Sequence, residues 1–244
     1  MRSAKVAIEP VTVGDPSEHP GDPTCHDRAV TPSDHRLGDL EIADDPAAWG
    51  AAGFRVLADD TVLVGETRVR LVGADGPRGI RRAGIEGSDG PVDGLPFGPV
   101  ADPEPAATTS HPNTVTAIDH LVVMTPDADR TTAALSAAGL EVRRTRRFEV
   151  DGTVRRQTFF WLGRAILELV GDDHGHGDGP ARPWGLALTA VDLDAAATAL
   201  GDRLGPARPA VQAGRSIATV RTGPLDISVP LALLSPHVPE NPTP

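Results

Sequence analysis

One step recurs in this chain: His120-Leu121-Val122-Val123-Met124-Thr125-Pro126-Asp127-Ala128-Asp129 can be laid on Gly185-Leu186-Ala187-Leu188-Thr189-Ala190-Val191-Asp192-Leu193-Asp194. Both runs end an apolar strand and enter a helix through Asp-x-Asp, where an aspartate can accept hydrogen bonds from the exposed first-turn amides. The same order of patterns follows each step. Ile118 to Met124 reads as a strand, Asp127 to Ala138 as a helix closed by Gly139, and Leu140 to Arg147, Val154 to Leu162 and Ala165 to Val170 as three strands. Trp184 to Thr189, a helix from Asp192 to Leu204, and strands Ser216 to Arg221 and Ile227 to Leu234 repeat the arrangement. The expected class is α+β, with paired βαβββ modules.

Upstream, Val6 to Val13 alternates like a strand, and Asp45 to Gly53 has an acidic cap, a first-turn proline and a closing glycine, the signature of a short helix. Strand-like runs follow at Phe54 to Leu57, Thr61 to Val64 and Thr67 to Val72, which makes a third, divergent βαβββ-like module. The expected division is a divergent module over 1–88 with an exposed, disordered insertion at 14–44, a Pro/Gly-rich linker over 89–113, and a paired-module domain over 114–236. Its modules span 116–171 and 183–235, and 237–244 is a tail. His19, Cys25, His26 and His35 follow no metal-ligand spacing.

A chain of 244 residues, 39% hydrophobic and 23% charged, has enough apolar material for a real core. Its formal net charge of -11 argues against nucleic acid and anionic membrane as partners, because those polyanions repel it. The basic stretch Arg143-Arg144-Thr145-Arg146-Arg147 is either the solvated face of an edge strand or a place to hold an anion. A single cysteine, Cys25, allows no intrachain disulfide. With no signal-like N-terminus and no apolar run long enough to span a membrane, the expected location is the cytoplasm.

Two apolar strands each carry one ionisable group, His120 and Glu168. Burying an unpaired imidazole or carboxylate costs several kcal/mol, so such a residue is paired, hydrated or bound to a metal. Alternation puts Gln157 on one face with Phe159 and Trp161, where the amide can orient a carbonyl or carboxylate and the rings can cover an apolar part. Arg215, before the Ser216 strand, can clamp an acidic ligand or lie on the surface. His174 and His176 sit in a polar turn that binds metal weakly or serves as a linker. No nucleophile elbow, phosphate loop or tyrosine is present.

Asp119-His120-Leu121-Val122-Val123 with Pro126-Asp127, Phe159-Phe160-Trp161-Leu162-Gly163 leading into Ile166-Leu167-Glu168-Leu169-Val170-Gly171, and Trp184-Gly185-Leu186-Ala187-Leu188 resemble the vicinal oxygen chelate superfamily of glyoxalases, bleomycin-resistance proteins and dioxygenases. More closely, the chain looks like the glyoxalase-like proteins of GC-rich bacteria. The resemblance covers Thr116 to Pro236 well and the N-terminal third loosely. It implies two modules curled around a cleft, with metal ligands on the first and last strands of each module. His120 and Glu168 hold those two places in one module; Gly185 and Leu231 to Ala232 hold them in the other and cannot ligate.

Two functions follow from the resemblance. One is a glyoxalase-like lyase or isomerase, or a dioxygenase-type enzyme, with a weakly held divalent metal of unknown identity at His120 and Glu168, the latter also moving a proton. The other is a metal-free, non-catalytic module that binds a small molecule, with Gln157, Trp161 and Arg215 as contacts. A structural or interaction protein is a third alternative. The partner expected is a small-molecule ligand, and homodimers are common in the superfamily.

Overall fold

The computed structural model describes residues 35–101 and 109–237; the strand expected at Val6 to Val13, most of the 14–44 insertion with His19, Cys25 and His26, and the tail beyond His237 lie outside them. The N-terminal unit contains β1 (Leu37–Ala43), α1 (Pro46–Ala51), β2 (Thr61–Val64), β3 (Thr67–Leu71), β4 (Gly79–Ile85) and β5 (Phe97–Gly98), in the sheet order β2-β3-β1-β4-β5. β1 runs parallel to β3 and antiparallel to β4.

Several expectations change here. β1 forms where an exposed insertion was expected, because Asp39 and Glu41 alternate with Leu40 and Ile42 and acids in a strand read as solvated. Asp39 is in fact buried and paired with Arg82 at 2.6 Å, a partner 43 residues away. Phe54 to Leu57 contributes only the single bridge from Val56 to Val62. The supposed linker contains β5 and the buried Leu95 and Phe97, and β4 had no expected counterpart. One face of this sheet is met by the chain's own segment Pro99 to Ala101. Arg82 donates to the Pro99 carbonyl, Ala101 N–H donates to Asp39 at 2.6 Å, and Val100 lies against Gly38.

The second sheet holds β6 (Val115–Met124), β7 (Val142–Val150), β8 (Thr153–Leu162), β9 (Ala165–Asp172), β10 (Arg182–Ala190), β11 (Arg208–Pro209), β12 (Ser216–Thr219) and β13 (Leu231–Leu234). Their order is β11-β12-β13-β10-β6-β9-β8-β7. β6 is parallel to β9 and β10 is parallel to β13, while β6 and β10 pair antiparallel at the centre. Two modules therefore meet through their first strands.

Helices α2 (Ala128–Ala137) and α3 (Leu193–Leu200) begin as the repeat predicts: Asp127 accepts from Arg130 N–H at 2.9 Å and Asp192 from Ala195 N–H at 2.8 Å. α3 is shorter than expected, because Gly201 at φ 58° turns the chain into a 3-10 turn over Gly201–Arg203. One face of the sheet presents Leu121, Val123, Phe160, Leu167 and Leu186 to Leu135 of α2 and Leu200 of α3. This core continues into Leu40, Ile42 and Trp49 of the N-terminal unit. His120, Gln157 and Glu168, which alternate with these core residues, lie on the opposite face.

Candidate functional site

On that opposite face β6 departs from strict alternation. Ala187 pairs with His120 and Leu188 with Ile118, so Asp119 is the extra residue of a β-bulge. Ile118 and Leu121 both point into the core, and Asp119 turns towards the same side as His120. The result is a dyad: His120 Nδ1 lies 2.6 Å from Asp119 Oδ1. In the neutral ring Nδ1 donates to the carboxylate and Nε2 is left as an acceptor.

Asp119 is held from three sides. Its Oδ2 accepts from Arg215 at 2.5 Å and from Thr189 at 3.0 Å, besides the imidazole contact. Burial alone raises this carboxyl, but the hydrogen bonds from His120 and Arg215 outweigh it and hold the group well below the usual carboxylate range. Arg215 is itself buried and also donates to the Ser235 carbonyl, Gln212 and His237. Most of its donors are thus committed within the protein, which makes it a support for Asp119 rather than a free clamp at the cleft mouth.

Glu168 stands on β9, between the core residues Leu167 and Leu169 and turned away from them. Its strand partner on β8 is Phe159, whose ring meets the His120 ring edge-on at 6.1 Å. Gln157 Nε2 donates to Glu168 Oε1 at 2.5 Å, and Gln157 Oε1 is buried without a hydrogen-bond partner. Burial pushes the Glu168 carboxyl up; the His120 charge and the Gln157 hydrogen bond oppose this and do not cancel it. Two carboxyls on one sheet face are therefore driven apart, Asp119 down and Glu168 up. Trp161 and Gln157 are half-buried on the same face of β8.

His120, Glu168, Gln157 and Trp161 thus share one wall, and Asp119 joins them. Asp119 was not singled out as a site residue in the sequence because alternation assigns it to the opposite face from His120. His174, 89% exposed in its side chain, lies 3.7 Å from Asp173 at the rim.

The donor set does not fit a resident divalent ion. Strand register puts Val122 beside Glu168 in one module and Ala187 beside Ala232 in the other, so Ala232 is the counterpart of Glu168 and Gly185 that of His120. Neither can ligate through a side chain, and Gly185 is closed against the Pro230 carbonyl, 2.9 Å from where a Cβ would stand. Among the described residues no three His, Cys, Asp or Glu side chains gather as metal ligands. One imidazole and one carboxylate leave half or more of a shell unfilled.

No family model matches this sequence, and no curated protein does. Solved structures are similar in fold. A variant of 4-hydroxymandelate synthase from Streptomyces coelicolor matches over 86% of this chain and 94% of its own, with TM-score 0.60 and 14% identity. Homoprotocatechuate 2,3-dioxygenase from Arthrobacter globiformis matches over 88% and 85%, with TM-score 0.54 and 15% identity. A catechol 2,3-dioxygenase matches over 85% and 91%, with TM-score 0.52 and 13% identity. The chain has the vicinal oxygen chelate fold, an α+β assembly of βαβββ modules. Among the described residues no helix is long and apolar enough to cross a membrane.

Proposed function

We propose that the cleft of the C-terminal module pair is a metal-independent acid–base site acting on a small organic molecule, with Glu168 as the group that takes and returns a proton. The observation that carries this reading is the Glu168 carboxyl, held by Gln157 and raised by burial, on the same sheet face as the Asp119–His120 dyad. A carboxylate with an elevated pKa is a stronger base than an ordinary one, and catalytic groups work best when their pKa approaches the working pH. The reaction that suits one such group is an isomerisation. Glu168 removes a proton from carbon next to a carbonyl, the electron pair moves onto the carbonyl oxygen, and the proton returns at a second position without net oxidation.

In this account His120, fixed by Asp119, presents Nε2 to the same space and holds the polar end of the ligand. Gln157 orients Glu168, and its unpartnered Oε1 takes a donor from the ligand or from a protonated Glu168 after the amide turns over. Trp161 and Phe159 form the apolar wall. Arg215 acts through Asp119. No step passes through an ion, and purified protein should carry metal only in sub-stoichiometric amounts.

The test is solvent deuterium exchange into a panel of 2-oxo acids, 2-hydroxy ketones and acyl thioesters, followed by NMR. The expected result is protein-dependent exchange in at least one class, lost in Glu168→Gln. Exchange that survives the substitution contradicts the assignment. The second reading is a non-catalytic binding module, favoured by Gly185 and Ala232 at the ligand positions; binding without exchange across the panel would select it.

A further inference from the structure

The basic stretch of β7 is not absorbed by the acid–base site. Arg143 Cζ lies 4.5 Å from the centroid of Trp161, Arg144 Cζ 5.1 Å from Phe159, and Arg146 Cζ 5.6 Å from Phe148. Neighbouring arginines are neutralised: Arg147 by Asp173 at 2.7 Å, Arg155 by Asp172 at 2.8 Å and Arg156 by Asp129 at 2.6 Å. Among the described residues no carboxylate forms a salt bridge with Arg143 or Arg144. The chain as a whole carries a net charge of -11, yet among the described residues these two cations have no salt-bridged carboxylate.

Backbone geometry puts them together. Val142 pairs with Phe160 and Arg144 with Phe159, so Arg143 is the extra residue of a second bulge. Strict alternation would point adjacent residues to opposite faces, but here both guanidiniums stack on rings of the cleft wall. Phe159 meets Arg144 over its face and His120 at 6.1 Å, which places the cations one ring away from the proton-handling groups. Partial burial and the charge of Arg144 both lower the Arg143 pKa, against a smaller opposing effect of Asp119, as expected for paired cations that an anion would relieve.

We propose that Arg143 and Arg144 form an oxyanion subsite, so that the molecule taken by the cleft is an organic acid whose carboxylate or phosphate docks on the two guanidiniums while its planar or apolar part lies along Trp161 and Phe159. The proposal rests on the reading of the cleft as a small-molecule site. Paired planar guanidiniums match either oxyanion through bidentate hydrogen bonds, and stacking on the rings pre-orients them.

The test is calorimetric titration of the full chain at low salt with benzoate and with phenyl phosphate. Wild type is expected to bind at least one of them, and Arg143→Ala/Arg144→Ala to weaken that binding about tenfold or more. Arg164→Ala removes a charge whose side chain is 88% exposed, in the β8–β9 turn, and is expected to leave binding unchanged. Preference for benzoate identifies the anion as a carboxylate, and preference for phenyl phosphate as a phosphate ester. Circular dichroism checks that the double variant folds; both positions lie on an edge strand outside the core, so folding should be retained. Equal binding by the double variant, or no binding of either probe by wild type, overturns the subsite. Binding that persists while the isotope exchange fails removes the acid–base reading and leaves the subsite standing.

Discussion

At the scale of the residue, the site depends on how one buried cation is balanced. Arg215, at 1% side-chain exposure, lies 2.5 Å from Asp119, and the same carboxylate fixes the His120 ring. Breaking a buried pair from one side leaves an uncompensated charge, so Asp119→Asn should cost roughly 3 kcal/mol in urea unfolding at neutral pH. The sign of the pH dependence follows from the lowered carboxyl. Stabilisation is complete above the unfolded value of about 4 and is lost as the pH falls towards the folded one. The gap between wild type and Asp119→Asn should therefore narrow in acid. A gap that is unchanged or widens there contradicts the role given to Asp119.

At the scale of the element, two β-bulges and one glycine decide what the cleft contains. The bulges at Asp119 and Arg143 bring charges to a face that a regular strand would deny them. Gly185 lets β10 approach Pro230, whose carbonyl accepts from Leu186 N–H at 2.9 Å, and a Cβ there would stand 2.9 Å from that oxygen. Gly185→Ala should therefore lower stability by about 1–3 kcal/mol, read as a fall in thermal midpoint; an unchanged midpoint would show that the strands can part. The two module patterns, their helix caps and the sharing of one β8 face by Gln157, Phe159 and Trp161 were legible in the sequence, because apolar periodicity and Asp caps are local signals; that His120 and Glu168 lie on that same face was not, because it depends on strand pairing. Asp119 was not, since a bulge breaks the alternation used to assign faces. Nor was β1, whose buried Asp39 is neutralised by a distant Arg82. Arg215 could be seen as a candidate, but its commitment to Asp119 depends on contacts made only in the folded chain.

At the scale of the whole molecule, the two sheets share one core and a buried acid ties them. Asp44 is completely buried and accepts from Trp49 Nε1 at 3.1 Å and Arg78 at 2.8 Å on its own side, and from Ser228 N–H at 3.0 Å on the other. Pro99 to Ala101 lie on one face of the N-terminal sheet, while one face of the C-terminal sheet is lined with ionisable and aromatic groups. The central claim is that this face keeps the Glu168 carboxyl protonated beyond the ordinary glutamate range. The most direct measurement is an infrared pH titration of the protonated-carboxyl band, taken as the difference between wild type and Glu168→Gln. The account predicts a wild-type-specific band that persists above the ordinary value of about 4.3 and disappears only at higher pH. A Glu168 carboxyl that loses its proton at the ordinary value would contradict it.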